Sequence, residues 1–265
     1  IDGWMDGWWV LLSWWWRRTR PLLVDKAKEQ GIAVCSLGNI RHFSALWYET
    51  EKLAGDHGLA AFAFVNSKAF VAHCGGSRRT YGTNPFSFSF PRRPPLPPVV
   101  FDQASSVMAR GEMQIALRDG KALPEGAAVT VTGEPTTDPK LALEGAQQTF
   151  GGHKGSSIAL MVELLAAVAT GSPLAIDLMD APETKPTVNG ELLIALNPRL
   201  LVGEGSEDHM DAQAEKLFAH ILQDEGSRLP GARRARARSR TENEGVSVSL
   251  KLYEEILSFC NDVEA

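Results

Sequence analysis

The sequence predicts a mixed α/β fold, with helices packed on a largely antiparallel sheet. Short apolar segments bounded by glycine or proline alternate with segments whose apolar residues recur at helical spacing. Some neighbouring strands are separated by hairpin-like spacings and others by helices, which argues against a regular βαβ series. The 265 residues are 44% hydrophobic and 22% charged, so a globular protein with a sizeable core is expected.

The first regular elements follow Pro21. PLLVDKAKEQG predicts a helix that ends at Gly31, because glycine stops helices readily. IAVCSL, residues 32–37, is apolar and bounded by glycines, which predicts a buried strand. A helix is predicted over residues 42–53 and a second strand over 59–66.

The middle of the chain predicts two strands and a helix. PFSFSF, residues 85–90, alternates phenylalanine with serine, so the phenylalanines should share one face of a strand and the serines the other. VVFD, residues 99–102, predicts another strand. VMARGEMQIALRDG predicts a helix that ends at Gly120.

The last third predicts three helices and a strand. SSIALMVELLAAVATG, residues 156–171, is apolar almost all round, which indicates a buried helix, and Glu163 interrupts it too early for a membrane span. ELLIALNP, residues 191–198, predicts a strand. Ser206 is placed to cap an amphipathic helix, and SLKLYEEILSF predicts a final one.

The stretch IDGWMDGWWVLLSWWWRRTR holds six of the seven tryptophans. Its apolar part is about half the length of a membrane span. Acidic residues precede that part and arginines follow it, which is the wrong order for a secretory signal. Two interpretations remain: a peripheral membrane anchor, and a segment foreign to the fold, which we favour.

Composition narrows the function classes. A formal net charge of −5 gives no general reason to expect nucleic acid or anionic lipid as a partner. The three cysteines are far apart and form no C-x-x-C pair, so reduced thiols in a cytoplasmic protein are expected. The histidines lie at no metal-ligand spacing, so no metal site is predicted.

A glycine-rich turn leads into a helix at FGGHKGSS, residues 150–157. Such a turn directs unpaired backbone N–H groups and the positive end of a helix dipole at one point, where Lys154 would add a full charge. The motif is neither of the usual nucleotide-binding fingerprints. An anion site and a flexible turn with a solvated lysine both remain possible.

RLPGARRARARSR, residues 228–240, concentrates arginines behind a turn-forming glycine. Guanidinium groups bind phosphate in a bidentate manner, and a positive group beside the ribose 2′-phosphate distinguishes NADP from NAD. The alternative is a solvated basic loop. RNA binding is disfavoured, because no aromatic residue interleaves the arginines.

Three further residues could move protons. His42 follows a strand, and an imidazole exchanges protons near neutral pH, although a lone histidine at a helix start is more often structural. Asp102 and Glu112 could orient a histidine or relay a proton. Each could equally be a capping or surface carboxylate.

Eight runs occur in one order from about Pro21 to the C-terminus: RHFSALWYE, FVNS, YGTNPFSFSFPR, VVFDQASS, ARGEMQIALRDG, PTTDP, FGGHKGSSIALMVELLAA and RLPGARR. Together they resemble the malate/L-lactate dehydrogenase-like family of NAD(P)-dependent oxidoreductases, whose fold is not the Rossmann fold. HFSAL, GGHKGS and RLPGARR are most similar to the delta-1-piperideine-2-carboxylate/delta-1-pyrroline-2-carboxylate reductases. Those enzymes use NADPH to reduce cyclic imino acids to L-pipecolate and L-proline.

The resemblance implies a cytoplasmic homodimer with that reductase activity. A 2-hydroxyacid dehydrogenase acting on malate, lactate or ureidoglycolate, and an inactive NADPH-binding remnant, are the alternatives. Carried over to matching positions, the NADPH contacts are His42, Phe43, Ser44, Ala45, Leu46, Asp102, Gln103, Ala104, His153, Lys154, Arg228, Leu229, Pro230, Gly231, Ala232, Arg233 and Arg234.

The substrate contacts implied by the resemblance are Thr83, Arg110 and Gly111. His42 and Glu112 are the implied proton-transfer residues. The chain departs from the reductase pattern here: Glu112 stands where the reductases carry an aspartate, and Arg110 replaces a histidine.

Family members carry a longer segment ahead of the match, with a Ser-His-Gly turn that supplies the proton donor and a nearby arginine that binds the substrate carboxylate. We therefore expect residues 1–20 to be an aberrant N-terminus that stands in place of this segment, and we expect loss of the segment to impair activity. The expected division is then an NADPH-binding α/β domain over 21–205 and a helical segment with the arginine loop over 206–265.

Overall fold

The computed structural model describes residues 6–41, 45–180 and 188–261. The helices are α1 (Asp6–Gln30), α2 (Trp47–His57), α3 (Arg110–Arg118), α4 (Pro139–Glu144), α5 (His153–Glu163), α6 (Pro198–Val202), α7 (Glu207–Ile221), α8 (Ala232–Glu244) and α9 (Leu250–Asn261). The strands are β1 (Ile32–Ile40), β2 (Ala60–Val65), β3 (Val71–Ala72), β4 (Arg79–Tyr81), β5 (Phe86–Phe90), β6 (Val99–Gln103), β7 (Ala128–Val129), β8 (Pro135–Thr136), β9 (Ala146–Gln147) and β10 (Asn189–Leu196).

The main sheet has the strand order β1-β10-β2-β5-β6, and every neighbouring pair is antiparallel. β10 lies between β1 and β2, where the apolar residues on each of its two faces pack against a layer of helices. The predicted mixed fold with a largely antiparallel sheet is confirmed. The sheet forms without a βαβ crossover between adjacent strands.

Both faces of the main sheet are covered. On one face α1 and α2 bury Leu53, Ala61 and Leu193 in the largest apolar cluster. On the other face Phe64 packs against Val162 of α5 and against a π-helical turn, Leu164–Val168, that continues α5. Strand residues therefore alternate between two apolar layers, as the period of two requires.

The serine face of β5 is more deeply buried than its phenylalanine face, which is the reverse of what hydrophobicity alone predicts. Ser87 and Ser89 are fully buried beneath α2, whereas Phe88 and its neighbouring phenylalanines are partly exposed. The Ser87 hydroxyl donates to the Phe101 carbonyl (2.8 Å) and lies 2.7 Å from the Thr50 hydroxyl, and the Ser89 hydroxyl donates to the Thr50 carbonyl (2.7 Å). Buried serines are tolerated here because each finds a partner.

Part of the chain between β2 and α5 forms a second sheet. Its strand order is β4-β3-β9-β7-β8, and β3 pairs with β9 in parallel. α3 and α4 cover it, with Met113, Leu123 and Ala142 at the centre of a separate apolar cluster. This layer presents the start of α3 to the end of β6, where the candidate site lies.

Most of the predicted elements are present, but several differ in their bounds or burial. The strand expected to be buried over residues 32–37 is an edge strand of the main sheet, and Ile32 and Val34 are 51% and 56% exposed. α2 begins at Trp47 rather than at residue 42, and residues 42–44 lie outside the described part. The helix expected to be buried all round exposes one side, where Leu160 and Leu164 are 45% and 50% exposed, because only its opposite side meets the sheet. Ser206 is the N-cap of α7, but its side chain makes no capping hydrogen bond.

α1 runs without a break through residue 20, with Pro21 inside it. Trp16 is 5% exposed and belongs to the same apolar cluster as Leu23 and Val24. The predicted boundary at residue 20 thus falls within a single helix. Within the described ranges, we find no helix that is both long enough and apolar enough to span a membrane.

Close packing of β10 on the π-helical turn gives a stability prediction. A Cβ at Gly190 would collide with the Ala166 carbonyl and the Thr170 hydroxyl, so Gly190→Ala should lower the free energy of unfolding by about 1–3 kcal/mol. Gly55→Ala in α2 is the matched control, because its Cβ would meet only Pro98, at 3.9 Å, and alanine favours a helix by about 0.5–1 kcal/mol. Urea denaturation should move the two midpoints in opposite directions, and equal shifts would contradict the packing.

Candidate functional site

The candidate site is organised around Ser105, which is fully buried just after β6. Its N–H donates to the Thr83 carbonyl (2.7 Å) and its hydroxyl donates to the Asn84 carbonyl (2.8 Å). Its own carbonyl accepts from the Phe150 N–H (3.0 Å). Three segments singled out by sequence, namely the GTNP turn, the end of β6 and the glycine-rich turn before α5, therefore meet at one point.

A cleft of about 830 Å³ opens on one side of β6. Its lining joins the strand to the predicted arginine loop: Val100, Phe101, Asp102, Gly226, Ser227, Arg228, Leu229, Pro230, Gly231, Arg233, Arg234 and Ala237. Of the residues predicted from the resemblance, Asp102 and most of the 228–234 loop share this one cavity. Ala232, the first residue of α8, lies directly behind it.

The sequence LPG explains why the arginine loop packs against β6. Leu229 is buried beside Val99, and the Pro230 carbonyl accepts from the Val100 N–H (3.4 Å). Gly231 has φ +84°, a left-handed conformation that suits glycine, and a Cβ there would lie 2.9 Å from the Val100 carbonyl. Glycine thus allows both the turn and the close approach that brings the following arginines to the cleft.

Two of the arginines on α8 pack against Trp47. The guanidinium carbons of Arg234 and Arg238 lie 4.4 and 5.3 Å from the indole ring centroid. Arg238 also donates to both Glu51 carboxylate oxygens (2.6 and 3.2 Å). Burial lowers the pKa of Arg234, and its Nη1 atom is buried without a hydrogen-bond partner among the described residues.

Asp102 fixes the start of α2. Its Oδ2 accepts from the Trp47 N–H (3.0 Å), whereas Leu46 at the N-cap offers no side-chain oxygen. A carboxylate at a helix N-terminus is favoured by the helix dipole. Its charge also favours the protonated form of Arg234. Asp102 thereby holds Trp47 and the arginines of the first cleft in one cluster.

A second cleft, of about 550 Å³, opens beyond the end of β6. It is lined by Gln103, Ala104, Ser106, Val107, Met108, Ala109, Glu112 and Phe150. Glu112 is exposed, and its Oε2 accepts from the Ala109 N–H (2.9 Å) in a capping arrangement at the start of α3. The carboxylate proposed for proton transfer therefore faces this cleft while capping a helix, and its relay role stays a prediction.

The predicted substrate residues do not line this cleft, although they are close in the chain or hydrogen-bonded to residues beside it. Thr83 is half-buried, and its hydroxyl lies 3.5 Å from the Ser67 hydroxyl. The Arg110 guanidinium carbon lies 4.0 Å from the centre of the Phe70 ring. Gly111, next to it, is exposed on the first turn of α3. These contacts hold Thr83 and Arg110 in place on two different layers of the protein.

The glycine-rich turn has the conformation that its sequence predicts. Gly151 and Gly152 have φ of +57° and +59°, and Gly152 is the N-cap of α5. His153 and Lys154 are exposed on the first turn of that helix. In the described part of the chain Lys154 forms no ion pair. Neither residue lines the two clefts, although the Phe150–Ser105 bond ties their turn to the end of β6.

Part of the predicted site cannot be placed. His42, Phe43 and Ser44 lie outside the described residues. Ala45 is exposed and Leu46 is buried just ahead of α2. Ala45 and Leu46 directly precede Trp47, whose N–H binds Asp102 of the first cleft.

Sequence reasoning missed the buried polar residues that hold these turns. Ser105 lies in the run VVFDQASS, but the sequence assigned it no role, and its role shows only through its distant partners. Glu163 did carry a signal, because a charged residue inside an apolar helix is rarely buried unless it is paired. Its carboxylate is 6% exposed and contacts the turn that bears Thr83.

The comparisons with known proteins agree on one family. A sequence model described as malate/L-lactate dehydrogenase matches residues 4–257, a range that starts ahead of Pro21. The chain is 46% identical over 240 residues to a Delta(1)-pyrroline-2-carboxylate/Delta(1)-piperideine-2-carboxylate reductase of Pseudomonas aeruginosa, covering 90% of the chain and 71% of that relative. It is 45% identical to a Delta(1)-pyrroline-2-carboxylate reductase of Pseudomonas fluorescens, covering 89% and 70%.

Solved structures show the same similarity. The crystal structure of delta1-piperideine-2-carboxylate reductase from Pseudomonas syringae superposes with a TM-score of 0.81 at 37% identity, covering 91% of this chain and 71% of that one. Sulfolactate dehydrogenase from Methanocaldococcus jannaschii gives 0.79 at 30% identity, covering 92% and 70%. The non-Rossmann fold expected from the resemblance is thereby confirmed.

Loss of the Ser105 hydroxyl tests the junction directly. Ser105→Ala leaves the buried Asn84 carbonyl without this donor and should lower the free energy of unfolding by about 1–2 kcal/mol. Ser157→Ala is the control, because Ser157 is exposed and bonds only within its own helix, so a change within about 0.5 kcal/mol is expected. Equal effects in urea denaturation would contradict the role assigned to Ser105.

Proposed function

The chain belongs to the malate/L-lactate dehydrogenase family, and we propose that it is an NADPH-dependent reductase of cyclic imino acids. Its substrates would be Δ1-piperideine-2-carboxylate and Δ1-pyrroline-2-carboxylate, which it would convert to L-pipecolate and L-proline. The observation that carries the proposal is identity of 45–46% with reductases named for these substrates, over about nine-tenths of the chain. Sulfolactate dehydrogenase, a family member named for a hydroxyacid, is less similar, at 30%.

The first cleft suits a phosphorylated dinucleotide. Arg228 and Arg233 line it, and within the described ranges neither is held in an ion pair, so both guanidinium groups are available to an anion. Arg234 also lines the cleft, and its buried Nη1 atom lies 3.9 Å from the Glu51 Oε2 atom without a hydrogen-bond partner among the described residues. Three positive groups beside one cavity favour a ligand with a phosphate outside the pyrophosphate bridge, which is the feature that separates NADP from NAD.

Bound NADPH would supply hydride to the carbon of the C=N bond. The protein would supply position and charge. Arg228, Arg233 and Arg234 would hold the 2′-phosphate end, while Lys154 and the N-terminus of α5 would face another phosphate. The arginine loop packs against Val99 and Val100 of β6, and the turn before α5 is bonded to Ser105 just beyond that strand, so the cofactor would extend along β6 from one turn to the other.

The second cleft is the proposed substrate side. Arg110 and Gly111 stand between the cleft-lining residues Ala109 and Glu112 in the chain, and the Thr83 carbonyl accepts from Ser105, which stands between the cleft-lining residues Ala104 and Ser106. A planar imino acid carries a carboxylate, which Arg110 would attract and the Thr83 hydroxyl would bind by a hydrogen bond. Protonation at the substrate nitrogen would fall to His42 or Glu112. Of these, Glu112 lines the second cleft.

Two finer expectations accompany the proposal. We propose a homodimer, because α5 and its continuation present the apolar side chains of Leu160, Met161, Leu164 and Val168 to the outside. We also propose a cytoplasmic location, which suits a family of metabolic enzymes. Cys35 and Cys74 are free thiols, as a reducing compartment would keep them.

Turnover is the direct test of the proposed activity. The purified chain mixed with NADPH and Δ1-pyrroline-2-carboxylate should oxidise NADPH and form L-proline, and NADH should support a slower reaction. NADPH absorbance and chromatography of the product measure both. NADPH binding without consumption would identify an inactive remnant instead. Oxidation of malate or lactate, with no imino acid reduction, would identify a hydroxyacid dehydrogenase.

The basis of NADPH preference is tested by removing the two unpaired arginines of the first cleft. Arg228→Ala/Arg233→Ala should raise the Kd for NADPH at least about tenfold, since a charge-assisted hydrogen bond contributes about 1.5–3 kcal/mol. The Kd for NADH should change less than about threefold, because NADH lacks the 2′-phosphate. Cofactor fluorescence measures both constants.

The matched control for that double variant is Arg236→Ala/Arg240→Ala. It removes the same charge from the same segment, but both residues are exposed and neither lines the first cleft. Its NADPH affinity should stay within about threefold of the unaltered protein, as expected for screened surface charge. An equal loss in both double variants, or an equal loss for both cofactors, would contradict the assignment.

A further inference from the structure

Glu163 lies where three parts of the fold meet. It is the last residue of α5 and is 6% exposed. Its Oε2 accepts from the Asn84 amide nitrogen (2.8 Å), and its Oε1 accepts from the Ala175 N–H (2.6 Å). The Asn66 side chain, which donates to the Pro173 carbonyl (2.9 Å), also lowers the pKa of the Glu163 carboxyl, against the larger effect of burial. One carboxylate thus joins α5, the GTNP turn and a short 3-10 turn that begins at Ala175.

Asn84, the partner of Glu163, is itself under constraint. It is fully buried and has φ +39°, a left-handed conformation that is uncommon for any residue but glycine. Its side-chain nitrogen also donates to the Ala159 carbonyl (3.0 Å), and its side-chain oxygen accepts from the Ser67 N–H (3.4 Å). The side chain therefore sets the backbone of the turn from the inside, and Glu163 holds that side chain.

The position of the Asn84 side chain also determines the position of Thr83. Ser67, which Asn84 binds, also accepts a hydrogen bond from the Thr83 N–H (3.1 Å). Gly82, on the other side of Thr83, has no room for a Cβ against Ser67. Thr83 is thus fixed at both ends by groups whose position depends on Asn84.

We propose that Glu163 is a positioning residue for the reaction, which holds the turn over residues 82–85 so that the Thr83 hydroxyl faces the imino acid. The inference rests on the proposed function, in which Thr83 contacts the substrate. Glu163 itself touches neither substrate nor cofactor in this proposal. It acts through Asn84.

The chemistry of the cavity explains why a carboxylate stands at this position. The groups directed at Glu163 are donors, and a carboxylate is a pure acceptor with two oxygens. A glutamine would turn its NH₂ group toward one donor and lose that bond. An apolar residue would leave several buried donors unpaired, at a cost that exceeds the loss of the bonds alone.

A role in stability alone accounts poorly for a charge at this place. The neighbouring core around Val162 and Ala166 is apolar, and burial raises the pKa of the Glu163 carboxyl against the effect of its hydrogen-bond donors. A buried carboxylate is costly unless hydrogen-bond donors compensate it. What the carboxylate provides here is the conformation of the turn.

The test compares Glu163→Gln with Val162→Ala. Val162 is the adjacent fully buried residue of α5 and faces the main sheet instead of the turn, so its variant reports general loosening of the helix. Hydrogen exchange followed by mass spectrometry should show faster exchange over residues 82–88 in Glu163→Gln than in Val162→Ala. The KM for Δ1-pyrroline-2-carboxylate should rise about tenfold in Glu163→Gln, while the KM for NADPH should change less than about twofold.

A Thr83→Val variant completes the test. It should raise the KM for the imino acid without faster exchange over residues 82–88. Adding Glu163→Gln to Thr83→Val should raise that KM little further, because both changes act through the same hydroxyl. Full additivity would overturn the proposal.

The remaining outcomes separate this inference from the proposed function. If exchange over residues 82–88 and the imino acid KM change no more in Glu163→Gln than in Val162→Ala, Glu163 is only structural and the proposal is wrong. If the unaltered chain does not reduce the imino acid, the proposed function fails and the substrate role of Glu163 fails with it. Exchange would then report only whether Glu163 holds the turn.

Discussion

The hydrogen bonds of Ser105 are the constraint on which the candidate site depends. One buried residue after β6 donates to the backbone of the GTNP turn twice and accepts from the turn that begins α5. These partners lie far apart in sequence, so neither turn could be set by local preference alone. Because a buried backbone group without a partner is costly, loss of any one of the three bonds would weaken the junction. The proposed cofactor and substrate sides therefore share one rigid junction.

Two carboxylates hold the segments around this junction in contrasting environments. Asp102 binds the Trp47 N–H and stands close to arginines, so its charge is balanced in a half-open cleft. Glu163 receives only neutral donors in an apolar core, where burial raises its pKa. The first arrangement suits a cleft that binds charged ligands. The second suits a buried position that keeps the conformation of a turn and contacts no ligand.

The sequence predicted local features well and distant partners poorly. The end of α1 at Gly31, strand β2 and strand β5 follow from glycine placement and periodicity, which act over a few residues. The start of α2 was misplaced because Asp102, and no nearby residue, caps it. The burial of Ser87 and the exposure of Leu160 likewise depend on which layer lies opposite, which the pattern of one segment does not contain. The family resemblance pointed to the candidate site residues, but it did not predict the structural roles of Ser105 or Glu163.

The arginines of residues 228–240 look alike in the sequence but make different contacts in the structure. Helical spacing places Arg234 and Arg238 on one side of α8, where Trp47 and Glu51 occupy them. Arg228 and Arg233 approach the first cleft from the loop and from the first turn, and among the described residues they form no ion pair. Arg234 and Arg238 hold the helix against α2, and Arg234 lines the first cleft as well, beside Arg228 and Arg233. A run that looks like one solvated basic patch thus contains arginines with structural contacts and arginines that face the cleft, because Gly231 starts the helix against β6 and so sets which arginines turn inward.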